Sequence, residues 1–199
     1  MGEGATIALA RLIEQTAAEG PGWRTAIWVQ GCSIRCAGCF NPDLWGHHGG
    51  TPTQVSDILD RLPSSIEGIT LLGGEPFEQA EPLAALAKEV RDRDMSVMTF
   101  TGFLREDLEA SNDASVRALL SHTDLLVDGP FDAQRLDTVR PWVGSTNQRF
   151  HALTPRYVDL VAQLPAIPDR LEIHVSPTGT LEINGWASPA VLEALLSDL

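Results

Sequence analysis

Three cysteines stand close together in Gln30-Gly31-Cys32-Ser33-Ile34-Arg35-Cys36-Ala37-Gly38-Cys39-Phe40-Asn41-Pro42, and the chain has no others. Their spacing is C-x3-C-x2-C. Thiolates are soft ligands that select iron–sulfur clusters, zinc or cuprous copper. Four of them usually close a cluster or a structural zinc site, whereas three leave one metal position open for chemistry. Two plainer arrangements use the same residues: a zinc knuckle completed by a histidine, and a redox-active thiol trio. His47 and His48 follow Cys39 closely enough to supply that histidine, or are solvated loop residues.

A second group with chemical potential is Gly73-Gly74-Glu75-Pro76. Glycines at a strand end let the backbone approach a ligand closely, because no Cβ intervenes. The adjoining carboxylate can accept charge-assisted hydrogen bonds from the α-amino end of an amino-acid ligand. Alone, the motif reads equally well as a strand-end turn with a surface glutamate. No catalytic carboxylate pair stands out elsewhere, and His122, His151 and His174 show no ligand spacing.

These residues need a scaffold, and the chain of 199 residues is long enough for one domain with a full core. Its 43% hydrophobic and 21% charged content is that of an ordinary globular protein. No apolar run approaches the ~18 residues of a membrane span, so no membrane partner is expected. Met1-Gly2-Glu3-Gly4 lacks a basic start and a following hydrophobic stretch, so no signal peptide and a cytoplasmic location are expected. A net charge of −13 argues against binding a phosphate backbone, and nucleic acid is not expected as a partner.

Thr25 to Gln30 reads as a strand that delivers the cysteine loop from its carboxyl end, where sites in parallel α/β folds collect. Thr6 to Ala18 fits no period cleanly and reads as an edge strand running into a turn. Thr51, Pro52 and Gln54 have the composition of a capping box, with Val55, Ile58, Leu59 and Leu62 as the buried stripe of the helix that follows. Ile69 to Leu72 is a short buried strand ending in the glycines, followed by a helix from about Gln79 to Arg93. Val97 to Thr101 and Asp124 to Asp128 are further strands, separated by a weaker helical region from Leu104 to Leu120. This rhythm predicts an α/β fold of mostly parallel strands with right-handed crossovers, open or closed into a partial (β/α) barrel. The tail predicts a helix through Tyr157, Leu160, Val161 and Leu164, a hairpin over Leu171–Val175 and Leu181–Ile183, and a last helix from Ser188.

The C-x3-C-x2-C loop, with G-G-E-P one β-α-β unit later, resembles the radical S-adenosylmethionine superfamily. That resemblance implies a [4Fe–4S] cluster held by Cys32, Cys36 and Cys39. S-adenosylmethionine would chelate the remaining iron, with Gly73, Gly74, Glu75 and Pro76 at its amino end. An electron from a flavodoxin- or ferredoxin-like donor then splits the sulfonium into methionine and a 5′-deoxyadenosyl radical, which abstracts hydrogen from a substrate. The protein supplies positioning, electrostatics and exclusion of water.

A narrower resemblance is to the activating proteins of anaerobic ribonucleotide reductase, within the glycyl radical enzyme activases. It rests on Gly20-Pro21-Gly22-Trp23-Arg24, Val29-Gln30-Gly31, Asn41-Pro42 with Trp45, and Thr101-Gly102-Phe103. Asp124-Leu125-Leu126-Val127-Asp128-Gly129-Pro130-Phe131 and Trp142-Val143-Gly144-Ser145-Thr146-Asn147-Gln148-Arg149 complete it. The likeness runs from about residue 20 to about residue 150 and leaves 151–199 as an extension that the shortest activases lack. It implies a large glycyl radical enzyme subunit as partner, whose glycine Cα is the hydrogen donor. A stand-alone enzyme acting on a peptide or small metabolite, with the hairpin closing its site, is the second reading; a non-catalytic iron–sulfur or zinc module is the third.

By alignment, Thr99 and Asp128 stand near strand ends that in related activases help hold the carboxylate of S-adenosylmethionine or a counter-ion, although strand-end capping accounts for them equally. Thr101 belongs to the same cofactor-binding set. Ser145, Asn147 and Gln148 are placed to reach the ribose or the partner, or else bond within their own turn. Gly38 departs from the aromatic residue that many superfamily members carry before the third cysteine, so the adenine contact is expected to shift to Phe40 or to backbone.

Overall fold

The computed structural model describes residues 4–168, 170–175, 179, 181–185, 193–194 and 197. Strand β1 (Thr6–Thr16) turns through Gly20-Pro21-Gly22 into β2 (Arg24–Val29), and the two pair antiparallel. After the cysteine loop come β3 (Thr51–Gln54), α1 (Val55–Asp60), β4 (Gly68–Gly73), α2 (Ala80–Asp92) and β5 (Ser96–Phe100). They are followed by α3 (Arg105–Glu109), α4 (Ala114–His122), β6 (Leu125–Asp128), β7 (Arg149–Ala152) and α5 (Val158–Ala162). The last strands, β8 (Leu171–Val175) and β9 (Leu181–Gly185), form the expected antiparallel hairpin, with Ile173 opposite Ile183.

Seven strands make one sheet in the order β3-β1-β2-β4-β5-β6-β7. The central run β2-β4-β5-β6 is parallel, as the βαβ rhythm predicts. The flanks differ from expectation, because β1, β3 and β7 all pair antiparallel and the sheet is therefore mixed. Thr51–Gln54 is not the start of a helix but a strand along β1, with Pro52 opposite Ala8. Proline has no N–H to donate and suits such an edge, and the threonines are β-formers. The helix starts only at Val55, and Gln54 gives it no side-chain cap. Consequently β1 lies one strand in from the edge. At the far side β7 covers β6; its four residues are too few to show an alternation. The weak helical region divides into α3 and α4. The last helix expected from Ser188 lies almost wholly outside the described residues.

Strand alternation sorts the sheet into two faces. Ile27, Val29, Ile69, Leu71, Val97 and Leu126 face the helices, where Leu83, Leu86, Ala87 and Val90 of α2 and Leu119 of α4 are completely buried. Each such leucine contributes roughly 1.5–3 kcal/mol by leaving water. Met98, Leu125 and Val127 point the other way and pack against Val143 and Tyr157.

On that second face lies Arg24, fully buried. Its guanidinium donates to Thr70 Oγ1 at 2.8 Å, Ser96 Oγ at 2.9 Å, Tyr157 Oη at 3.2 Å and the carbonyl of Ile69. Tyr157 in turn donates to Glu67 at 2.5 Å, which brings a carboxylate charge toward the buried cation. The arginine of the G-P-G-W-R motif thus fastens β2, β4 and β5 below the site and ties the tail to them.

Candidate functional site

A cavity of about 330 Å³ opens on this second face at the carboxyl ends of the parallel strands. Its floor is one row of side chains across the sheet. Arg11 lies opposite Trp28 and Trp28 beside Leu72, and Phe100 continues the row from β5. The Arg11 guanidinium stacks on the Trp28 ring, 4.9 Å from its centroid. Cys32, Cys36 and Cys39 all line this cavity, as do Gly73, Gly74, Glu75, Thr101 and Phe40. The structure therefore brings together the two groups that the sequence singled out.

Backbone and side-chain bonds stitch the two loops to each other. Gly74 N–H donates to the carbonyl of Val29 at 2.8 Å, and Glu75 N–H to that of Gly31 at 2.7 Å. A Cβ on Gly74 would sit 2.1 Å from the Gly31 carbonyl oxygen, so the close approach that needs this glycine is to the cysteine loop itself. Glu78 accepts from Ser33 N–H at 2.8 Å and Ser33 Oγ at 2.5 Å, and Gln79 donates to the Gln30 carbonyl at 2.8 Å. Sequence reasoning missed Glu78 and Gln79; the only signal was their place in the 3-10 turn Pro76–Gln79 directly after the glycine motif.

Glu75 is only 1% exposed. Its Oε1 accepts from Phe77 N–H at 3.0 Å and from the Thr101 hydroxyl at 2.8 Å, and its Oε2 from Gly102 N–H at 2.9 Å. Burial pushes its carboxyl up to about 7, against the opposing pull of those three donors. It is not the surface glutamate of the plainer reading. Glu19, on the same cavity wall, is likewise raised by burial to about 7, with the Arg11 charge opposing.

Burial also raises the thiols of Cys32 and Cys36 above their ordinary values, so loading a metal group there would release protons. Cys39 Sγ accepts from Asn41 N–H at 3.4 Å. Gly38 adopts φ +78°, which strains any residue with a side chain, and a Cβ there would press on that of Ala133 at 3.0 Å, so the aromatic residue of other superfamily members would be disfavoured here. Phe40 is 61% exposed and tilts against Phe131 at 5.0 Å between centroids.

The remaining sequence candidates sit elsewhere. Thr99 Oγ1 pairs with Thr123 Oγ1 at 2.9 Å and does not line the cavity. The Asp128 carboxylate also lies outside it and takes hydrogen bonds from Arg105 N–H at 2.7 Å and Arg149 Nε at 2.9 Å. Burial works against its charge, yet Arg149 and that N–H hold its carboxyl below the usual range. Ser145 Oγ accepts from Asp132 N–H at 3.1 Å, and Asn147 Nδ2 donates to the Pro130 carbonyl at 2.6 Å. Those two bonds tie this segment back to Pro130 and Asp132, just after β6, rather than closing a turn of its own, and of this trio only Gln148 reaches the cavity. His47 lies 3.7 Å from Glu78, and neither His47 nor His48 lines the cavity.

The donor set fits an iron–sulfur cluster. Three free cysteines, soft ligands of the kind that hold such clusters, line one cavity. Trp45 also lines the cavity, and its indole Nε1 is buried without an acceptor among the described residues. The fourth wall comes from the hairpin, through Ile183, Asn184 and Gly185. It is fastened to the end of β1 by Thr16 Oγ1 donating to Glu172 at 2.5 Å, Ala17 N–H to Glu172 at 2.8 Å and Asn184 Nδ2 to Thr16 Oγ1 at 2.9 Å.

Fold and site together define an iron–sulfur protein built on a mixed α/β sheet with a parallel centre. The chain belongs to the 4Fe-4S single cluster domain family, whose model matches residues 18–151. Its relatives include the anaerobic ribonucleoside-triphosphate reductase-activating protein of Vibrio cholerae, 34% identical over 145 residues that span 68% of this chain and 91% of that protein. Proteins of the same name from Pasteurella multocida and Escherichia coli are 30% and 29% identical, over 68% and 67% of this chain and 90% and 91% of their own lengths. Among the described residues no helix is long and apolar enough to cross a membrane.

Proposed function

We propose that this chain activates an anaerobic ribonucleoside-triphosphate reductase, holding a [4Fe–4S] cluster on Cys32, Cys36 and Cys39 and using S-adenosylmethionine to generate a radical on a glycine of that partner. The observation that carries the reading is the shared cavity: the three cysteines and the buried Glu75 line one space at the ends of parallel strands, inside the segment that matches the family. We take the four parallel strands to be the core of a partial radical SAM barrel.

When bound, the cluster supplies the electron for reductive cleavage of S-adenosylmethionine, which it receives from a flavodoxin- or ferredoxin-like donor. Glu75 would accept N–H bonds from the amino group of that ligand, and Thr101 and Gly102 donate to its carboxylate and so fix it in place. The ligand would lie over the row formed by Trp28, Leu72 and Phe100, with the Arg11 guanidinium stacked on the Trp28 ring at one end. Phe40, exposed beside Cys39, is the ring available to the adenine. Arg149 and His151 occupy the Asp128 carboxylate, and Thr123 the hydroxyl of Thr99, so these two act by fixing strand ends rather than by touching the ligand.

The test is anaerobic reconstitution, reduction, and mixing with S-adenosylmethionine and the cognate reductase. A glycyl radical signal by electron paramagnetic resonance is expected; cluster-loaded protein that cleaves S-adenosylmethionine yet never yields that signal would refute the activating role. A stand-alone enzyme is the second reading, favoured by Ile183, Asn184 and Gly185 on the cavity wall. Turnover of a small substrate without any partner would decide for it.

A further inference from the structure

Trp45 is held against the first cysteine by backbone. Its carbonyl accepts from Cys32 N–H at 3.2 Å, its own N–H donates to the Pro42 carbonyl at 3.2 Å, and the neighbouring Leu44 carbonyl accepts from Gly31 N–H at 2.9 Å. Trp45 so placed is a lining residue of the cavity together with all three cysteines. An indole N–H can only donate, and this one is buried with no acceptor among the described residues. Buried donors in native proteins are almost always paired, and an orphan calls for a partner that arrives later. Donation to Cys39 is already made by Asn41 N–H, from the same loop.

We propose that the Trp45 indole N–H donates a hydrogen bond to a sulfur of the bound cluster, and so positions the cluster and sets its reduction potential. The inference rests on the cluster reading above and adds to it a residue whose role neither motif nor family supplies. Hydrogen bonds to cluster sulfurs are among the determinants of potential. A donor favours the reduced, more negative cluster, so Trp45 raises the potential and eases entry of the electron.

The test uses full-length protein in which tryptophan carries a nitrogen-15 indole, reconstituted and reduced without S-adenosylmethionine. Pulsed electron paramagnetic resonance is expected to show a nitrogen-15 coupling that disappears in Trp45→Phe, where the other four of the five tryptophans remain labelled. The midpoint potential of Trp45→Phe is expected to fall by about 59 mV if the bond is worth a factor of ten in a one-electron equilibrium, with affinity for S-adenosylmethionine unchanged. A loaded wild-type cluster with no coupling, or with one that appears only after S-adenosylmethionine is added, overturns the proposal. So does an unchanged potential in a variant that keeps its cluster. Should Trp45→Phe take up no cluster, the labelled wild-type spectrum decides alone. A wild-type protein that takes up no cluster removes the function reading and this inference together, whereas a loaded cluster without coupling removes only the inference.

Discussion

Replacing Glu75 by glutamine keeps the size of the side chain and removes its charge, and the surroundings set the consequence. The carboxylate accepts from Phe77 N–H and the Thr101 hydroxyl on one oxygen and from Gly102 N–H on the other. A glutamine can satisfy one of these sides, but its NH₂ then faces a donor on the other. Losing the charge-assisted bond to the ligand's amino group costs about 1.5–3 kcal/mol. That is roughly ten- to a hundredfold in Kd for S-adenosylmethionine. Burial holds the carboxyl at about 7, so below that value the wild-type site must ionise before it accepts the ligand. Wild-type affinity is therefore expected to rise with pH up to about 7 and then level off, with this component absent from Glu75→Gln. Since the ligand's amino group also titrates, the difference between the two profiles is the informative quantity. Stability of the ligand-free protein runs the opposite way. A carboxyl at 4.5 unfolded and about 7 folded contributes stability in full below 4.5, which is lost as pH rises through about 7. The full span is about 3 kcal/mol, and Glu75→Gln should flatten it. Titration calorimetry of cluster-loaded protein and denaturant unfolding across pH measure both. Equal Kd for the two proteins, or a wild-type profile no steeper than the variant's, would refute the reasoning.

Other changes have equally definite outcomes. Cys32→Ala, Cys36→Ala and Cys39→Ala should each leave almost no [4Fe–4S] absorption after reconstitution, because the chain has no other cysteine, while changing His47 and His48 together to alanine should leave it intact. Full cluster content in Cys39→Ala would count against the whole assignment. Glu78→Ala removes both bonds to Ser33 and should cost about 1–2 kcal/mol, read as a five- to thirtyfold faster loss of cluster to a chelator, with Glu78→Gln recovering part of it. Cutting the chain after Pro168 should remove the hairpin wall yet keep Tyr157 on Arg24. If the activating role is right, the shortened protein retains partner activation; turnover of a small substrate that only the full-length protein shows would favour the stand-alone enzyme. A cut at Ala152 would instead strip Tyr157 from the buried guanidinium.

Much of the site could be read from the chain because its parts are local. The cysteine loop and the glycine motif each occupy a few consecutive residues, and a parallel β2-β4 pair is the simplest way to bring two strand-end loops side by side. Residues that act across the sheet were harder to see. Thr51–Gln54 carries capping chemistry, but the unpaired outer side of β1 claims it as a strand. Asp128 and Thr99 sit at strand ends as alignment implies, yet Arg149 and Thr123, distant in sequence, take up their polar atoms. Trp45 showed only as part of a resemblance, since an orphaned N–H is a property of packing and not of pattern.

The central claim is a cluster with one iron left open for S-adenosylmethionine, on three cysteines and beside Glu75. Its most direct measurement is the electron paramagnetic resonance spectrum of the reduced, reconstituted protein before and after S-adenosylmethionine is added. The account predicts a [4Fe–4S] signal whose g values shift on addition of the ligand in the wild-type protein, with a weaker response at the same ligand concentration in Glu75→Gln. A colourless zinc protein, or a cluster signal that S-adenosylmethionine leaves unchanged at saturating concentration, would contradict it.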